Sequence, residues 1–153
     1  MGNDRKAELV RREDAAWAEL QDLLGRMTPQ ELELDGYYED WSVKDLMAHY
    51  GDWMAEAATM LERKRLGTST GWDGDTDVLN RHWYETWRGA DLRAVTAHLH
   101  AARARMLEEW DLLPPDLLDE DAEEWFMDSS VGHNEDHLPR LREWISELRS
   151  GPG

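Results

Sequence analysis

Two histidines four residues apart, His133 and His137, lie in the stretch Ser129-Ser130-Val131-Gly132-His133-Asn134-Glu135-Asp136-His137, and a third, His49, sits far upstream in Leu46-Met47-Ala48-His49-Tyr50. A helix turns once in ~3.6 residues, so an i, i+4 pair stacks on one side and can pinch a single metal ion. The face that carries His133 and His137 continues as Leu141, Trp144 and Leu148, which are core residue types. His49 is likewise embedded in an apolar stripe, between Leu46 and Trp53. Three neutral imidazoles on inward faces would hold one divalent cation and leave coordination positions open for water or a substrate. Such a donor set suits zinc, nickel, copper or iron(II) and does not choose among them. Bound water or a bound thiol would then be available as an anion near neutral pH. The alternative is that each histidine is an ordinary polar core residue hydrogen-bonded to a neighbour.

The elements that must bring these residues together follow from periodicity. Leu9, Ala16, Trp17, Leu20, Leu24 and Met27 fall at helical spacing and predict a first helix from about Asp4 to Met27. Thr28-Pro29 begins a short turn that Asp35-Gly36 ends, and Tyr37 to Trp41 is an aromatic, acidic connector. Ser42, with Asp45 three residues later and Trp41 at the staple position, starts a second long helix that Gly67 closes after the basic turn Arg63-Lys64-Arg65. Thr68 to Asp75 is a loop, Thr76 to Arg88 a shorter helix, and Asp91 caps a third long helix that runs to about Leu112 and stops at Pro114-Pro115. Asp116 to Asp128 reads as a second acidic connector, and the last helix begins at the histidine pair. Pro139 should kink or loosen that helix.

No segment alternates with period two, so the chain is expected to be all-α: a four-helix bundle, up-down-down-up, with a long crossover between its second and third helices. Residues 1–149 are expected to form one domain and residues 150–153 a disordered tail. In antiparallel neighbours, His49 and the His133/His137 pair, all near helix starts, would need a stagger of ~10–15 Å to meet.

Composition narrows the chemistry. The 153 residues carry a net charge of −17, which disfavours nucleic acid and anionic membrane surfaces as partners. There is no cysteine, so any metal must rest on His, Asp and Glu. Without an apolar leader or membrane-length run, the expected location is cytoplasmic. Nine tryptophans stand against one phenylalanine. Tyr50, Trp53, His82, Trp83, Trp87 and Trp125 are candidate pocket walls for a flat apolar molecule, each also a plausible core filler. Asp45, one turn before His49, is a candidate partner for its second ring nitrogen, unless the helix cap uses it. His98 and His100, two apart, cannot share a helix face.

The run Trp41-Ser42-Val43-Lys44-Asp45-Leu46-Met47-Ala48-His49, the helix opening near Asp91, and Gly132-His133 through His137 to Trp144 resemble the DinB-like four-helix bundle superfamily, closest to its ClbS/DfsB-like branch. The resemblance implies the up-down-down-up bundle, a metal on His49, His133 and His137, and a homodimer. It also implies a small-molecule enzyme, either a hydrolase or a transferase using a low-molecular-weight thiol, acting on an electrophilic or strained compound in detoxification, self-resistance or secondary metabolism. The rival expectations are a non-catalytic protein that sequesters a flat hydrophobic metabolite, and a structural dimer with an empty histidine site.

Overall fold

The computed structural model describes residues 2–151, so Pro152 and Gly153 of the expected tail lie outside the described residues. Ser150 still belongs to the last helix end, its N–H bonded to the Ser146 carbonyl. Among the described residues the chain is helical, and its one extended pairing is an isolated bridge between Tyr38 and Trp41.

Helix α1 spans Gly2–Leu24 and the single turn α2 spans Pro29–Leu32, opened by a capping box between Thr28 and Glu31. The second long helix, α3, spans Val43–Leu66. The Ser42 hydroxyl accepts the Asp45 N–H (3.2 Å) while Asp45 Oδ2 accepts the Ser42 N–H (2.9 Å), and Gly67 ends the helix with φ of 74°. Positive φ there favours glycine, which carries no Cβ penalty. The crossover helix α4 spans Thr76–Trp87, and α5 spans Leu92–Leu112, both capped by aspartates at Asp75 and Asp91.

Side-chain bonds between the long helices set their directions. Glu13 meets Arg103 and Lys6 reaches the Leu113 carbonyl, so α1 and α5 are antiparallel. Asp52 meets His98 and Arg65 meets Glu109, so α3 and α5 run parallel, as the long crossover permits. Gly51 allows this approach: a Cβ there would lie 2.8 Å from His98 Cδ2 and 3.3 Å from the Leu99 Cα. Lys44, at the start of α3, fixes the end of the crossover by donating to the Ala90 carbonyl at 2.7 Å.

The expected connector from Asp116 to Asp128 is corrected by the structure. After a 3₁₀ turn at Pro115–Leu117, Asp119 caps an α-helix, α6, over Glu120–Met127. A π-helical turn, Asp128–Gly132, then joins it to α7, His133–Arg149. The acidic residues of α6 face water while Ala122 and Phe126 are fully buried, Phe126 stacked on Trp110 at 4.1 Å. The fourth bundle helix is thus one helical run from Glu120 to Arg149, and the histidine pair lies at its middle. Lys64 pairs with Asp119 at one end of α3 and Tyr50 bonds Asn134 near the other, which makes the two helices antiparallel. The stagger expected from a late helix start is not needed, because α6 supplies the missing length.

Candidate metal centre

His49, from the second turn of α3, and His133 and His137, from consecutive turns of α7, come together. One ligand atom from each lies within 4.8 Å of the other two, and the ring centroids are 4.8, 5.1 and 5.6 Å apart. None of the three is exposed.

Different devices hold each ring. The π-helical turn sends the His133 backbone N–H to the Ser130 carbonyl, and the Ser129 carbonyl accepts His133 Nδ1–H at 3.2 Å. This fixes the tautomer of His133 and leaves Nε2 as its donor atom. Ser129 and Ser130 support the turn by returning their hydroxyls to the Trp125 and Phe126 carbonyls (2.9 and 2.8 Å). The backbone of His137 is bound by the Tyr37 hydroxyl, which donates to its carbonyl at 3.3 Å, and Arg140 Nε holds the Tyr37 carbonyl at 2.6 Å. The helix continues through Pro139. The His49 ring meets Trp41 edge-on at 5.6 Å and has no hydrogen-bond partner among the described residues.

Electrostatics favours the neutral, metal-ready form. Burial, reinforced by the neighbouring histidines, pushes His49 down to about 2. His133 is pushed down to about 4 by burial and by His137, against an opposing bond to Ser129. Burial also lowers His137, with Asp136 acting the other way. A cation entering at pH 7 therefore displaces no protons from these rings. Donor nitrogens on one tetrahedral ion stand about 3.4 Å apart, so ring rotations that close the 4.8 Å limit by up to about 1.4 Å would complete the fit.

The same shifts have a consequence without metal. An unfolded histidine takes its proton near 6.5, whereas folded His133 does so only near 4. Between these values the unfolded state binds more protons, so stability complete above pH 6.5 is lost as pH falls. For His133 alone the loss from pH 7.5 to 5 is about 2 kcal/mol. Urea midpoints of metal-free protein at pH 7.5 and 5 should show it, with a shallower fall in His133→Gln. Identical falls in both proteins would contradict the assignment.

The centre opens on a cavity of about 560 Å³ walled by Trp53, Thr76, Asn80, Asp128, Ser129, Glu135 and Asp136 with the three histidines. A second cavity of about 560 Å³ shares Trp53, Thr76, Asp128 and Ser129 with it and adds Trp72 and Trp125. Burial, then Asp136 and Glu135, raises the Asp128 carboxyl.

Of the expected pocket residues, Trp53 walls both cavities and Trp125 the outer one. Trp83 stands edge-on to Trp53 at 5.0 Å. Trp87 stacks on His98 at 4.2 Å, away from the main cavity. Tyr50 is core: it is 1 % exposed, and its hydroxyl donates to Asn134 at 2.9 Å behind His133. His82 is on the exposed side of α4 and takes no part. Asp45 is committed to the Ser42 cap, accepting both its N–H and its hydroxyl (2.9 and 3.1 Å), rather than to His49. His100 contacts Trp17 only edge-on, at 5.2 Å. Sequence reasoning missed Tyr37, Asp52, Asn80 and Asp128. The one available signal was Asp52, a carboxylate set among the inward residues of α3, taken up below.

Parallel middle helices, a long crossover and one histidine on the second long helix facing an H-x-x-x-H pair on the fourth define a DinB-like bundle. Residues 14–145 match the mycothiol maleylpyruvate isomerase N-terminal domain, and the chain belongs to that family. The match places it in the DinB-like superfamily, among metal-associated, mycothiol-related proteins, and lends no support to the narrower ClbS/DfsB-like branch. No curated protein and no solved structure gives a significant match. No helix among the described residues is long and apolar enough to cross a membrane.

Proposed function

We propose that this protein is a metal-dependent enzyme acting on a small electrophilic compound, as a thiol transferase or hydrolase. The observation that carries the proposal is the convergence of three neutral imidazole donors on the wall of a cavity of about 560 Å³. His49, His133 and His137 would hold the ion. A divalent ion there supplies an acidified water or thiol, the second suggested by a family named for a mycothiol enzyme.

The remaining roles belong to the chain. Trp53 offers a flat wall against which an apolar or aromatic substrate stacks. Asp128, with its raised carboxyl, stands in the cavity to accept a proton from the thiol or water. No lysine or arginine lines the cavity, while Asp128, Glu135 and Asp136 do. This favours an uncharged or cationic electrophile over a dicarboxylate. Purified protein loaded with zinc, nickel or iron(II) should consume epoxides or activated alkenes in the presence of mycothiol or a simpler thiol. Turnover should stop on chelation and return with metal. Absence of metal-stimulated turnover across neutral and cationic electrophiles, with and without thiol, would overturn the proposal.

A second reading, sequestration of a flat metabolite, is favoured by the indoles of Trp53, Trp72 and Trp125 around the adjoining cavity. It predicts tryptophan quenching on ligand binding that survives metal removal.

A further inference from the structure

Asp52 lies one turn beyond His49 on α3 and is only 6 % exposed. Its Oδ1 accepts two bonds, from Trp87 Nε1 at 3.2 Å and His98 Nε2 at 2.9 Å. Its Oδ2 is buried and has no hydrogen-bond partner among the described residues. A buried carboxylate oxygen left bare is costly, and natural structures rarely keep one without a water or ion to meet it.

The surroundings show where such a partner fits. Asp52 borders a small, partly open space of about 10 Å³, which it shares with His49, Asn80 and the rings of Trp41 and Trp87. That is about the room one water requires, and a buried water needs two to four polar partners. Asp52, His49 and Asn80, whose Oδ1 already accepts from Trp53 Nε1, border the space and can supply them. His49 borders this space on one side and the large cavity on the other. One of its ring nitrogens faces the other two histidines, and the second lacks the direct carbonyl partner that His133 has in Ser129.

We propose that one water molecule occupies this space, accepting the second ring N–H of His49 and donating to Asp52 Oδ2, so that Asp52 is the positioning residue that fixes the tautomer of His49. His133 has a direct backbone partner, and His49 has a carboxylate acting through water. Asp45, one turn before His49 and also bordering this space, is committed through Oδ2 to the Ser42 cap. Trp87 and His98, both bound to Oδ1, keep the carboxylate in place. The consequence for metal rests on the metal reading above, while the water and tautomer do not.

Asp52→Asn tests this with little change of shape. Its amide oxygen can still accept from Trp87 and His98, while the position of Oδ2 becomes a donor. Two-bond ¹H–¹⁵N spectra of the imidazoles in metal-free protein should show His49 as a single tautomer in the native chain and as a mixture in Asp52→Asn. Affinity for zinc should fall about 10- to 100-fold in the variant, the usual effect of losing an outer partner of a ligating histidine. An unchanged His49 tautomer in the variant overturns the inference, whatever happens to zinc affinity. If Asp52→Asn does not fold, the native spectrum decides, and a tautomer mixture there overturns it. If the native chain binds no zinc but the variant loses the single His49 tautomer, the metal reading fails and this inference stands.

Discussion

Replacing His133 by alanine is expected to lower affinity for a divalent ion by more than about 100-fold, exceeding the loss typical of an outer partner. It should abolish metal-dependent turnover while leaving the helical fold in place. Of the three rings, His133 is the most fully prepared: its tautomer is set by the Ser129 carbonyl, and its proton is driven off by burial. His49→Ala and His137→Ala should follow the same pattern, because two imidazoles cannot replace the enclosure of three. Tyr50→Phe is the informative contrast. It removes a bond to Asn134 behind the centre and no donor atom, so it should cost stability of about 1 kcal/mol and leave stoichiometric metal binding intact. Isothermal titration with zinc on the four variants separates these outcomes. Equal affinity in His133→Ala and the native chain would remove His133 from the site.

The second large effect is on stability and lies away from the metal. Glu13 is fully buried in α1, and Arg103 of α5 grips it through Nε at 3.0 Å and Nη2 at 2.7 Å. The same guanidinium reaches Asp14 at 2.7 Å and lies 4.6 Å from the centre of the Trp17 ring. Arg103→Ala strands the Glu13 charge in the α1–α5 interface and should cost about 3–5 kcal/mol. Replacing both partners by methionine should cost far less, because the penalty comes from the orphaned charge rather than from loss of the pair. Urea denaturation of the single and double variants measures the difference. A loss below about 1 kcal/mol in Arg103→Ala would contradict this role for the pair.

Much of the frame was legible in the sequence because it rests on local rules. Ser42 with Asp45, the glycine at 67 and the aspartate at 91 mark helix ends by side-chain chemistry that acts within a few residues. His49, His133 and His137 were legible because their neighbours at helical spacing are core types. The α6 helix was hidden for the opposite reason. Glu120, Asp121, Glu123 and Glu124 dominate its composition, and two buried residues, Ala122 and Phe126, are too few to show a stripe. Reading that segment as a connector placed the histidine pair at a helix start and created a stagger problem that the folded chain does not have. The π-helical turn was also beyond pattern reading, since it depends on Ser129 and Ser130 bonding back to carbonyls four residues earlier. Among side chains, Asp45 and His82 were assigned by spacing alone. The cap claims the first, and the rotation of α4 turns the second outward, which only the packing of Trp53 on Trp83 and Asn80 decides.

The crossover helix shows how packing overrides local pattern in building the site. No residue of α4 is fully buried, yet Trp53 Nε1 donates to Asn80 at 2.8 Å and Tyr84 stacks on Trp41 at 5.0 Å. These contacts hold Thr76 and Asn80 at the edge of the cavity, over the histidines. A short helix attached through aromatic rings rather than a continuous apolar face has few contacts to break.

His49, His133 and His137 are expected to share one metal ion. X-ray absorption at the metal edge, on protein purified without a histidine tag and carrying about one zinc per chain, tests it most directly. The expected shell holds three imidazole nitrogens at about 2.0–2.1 Å, completed by an oxygen or thiol sulfur. A zinc shell with at most one imidazole, or one unchanged in His133→Ala, would contradict it.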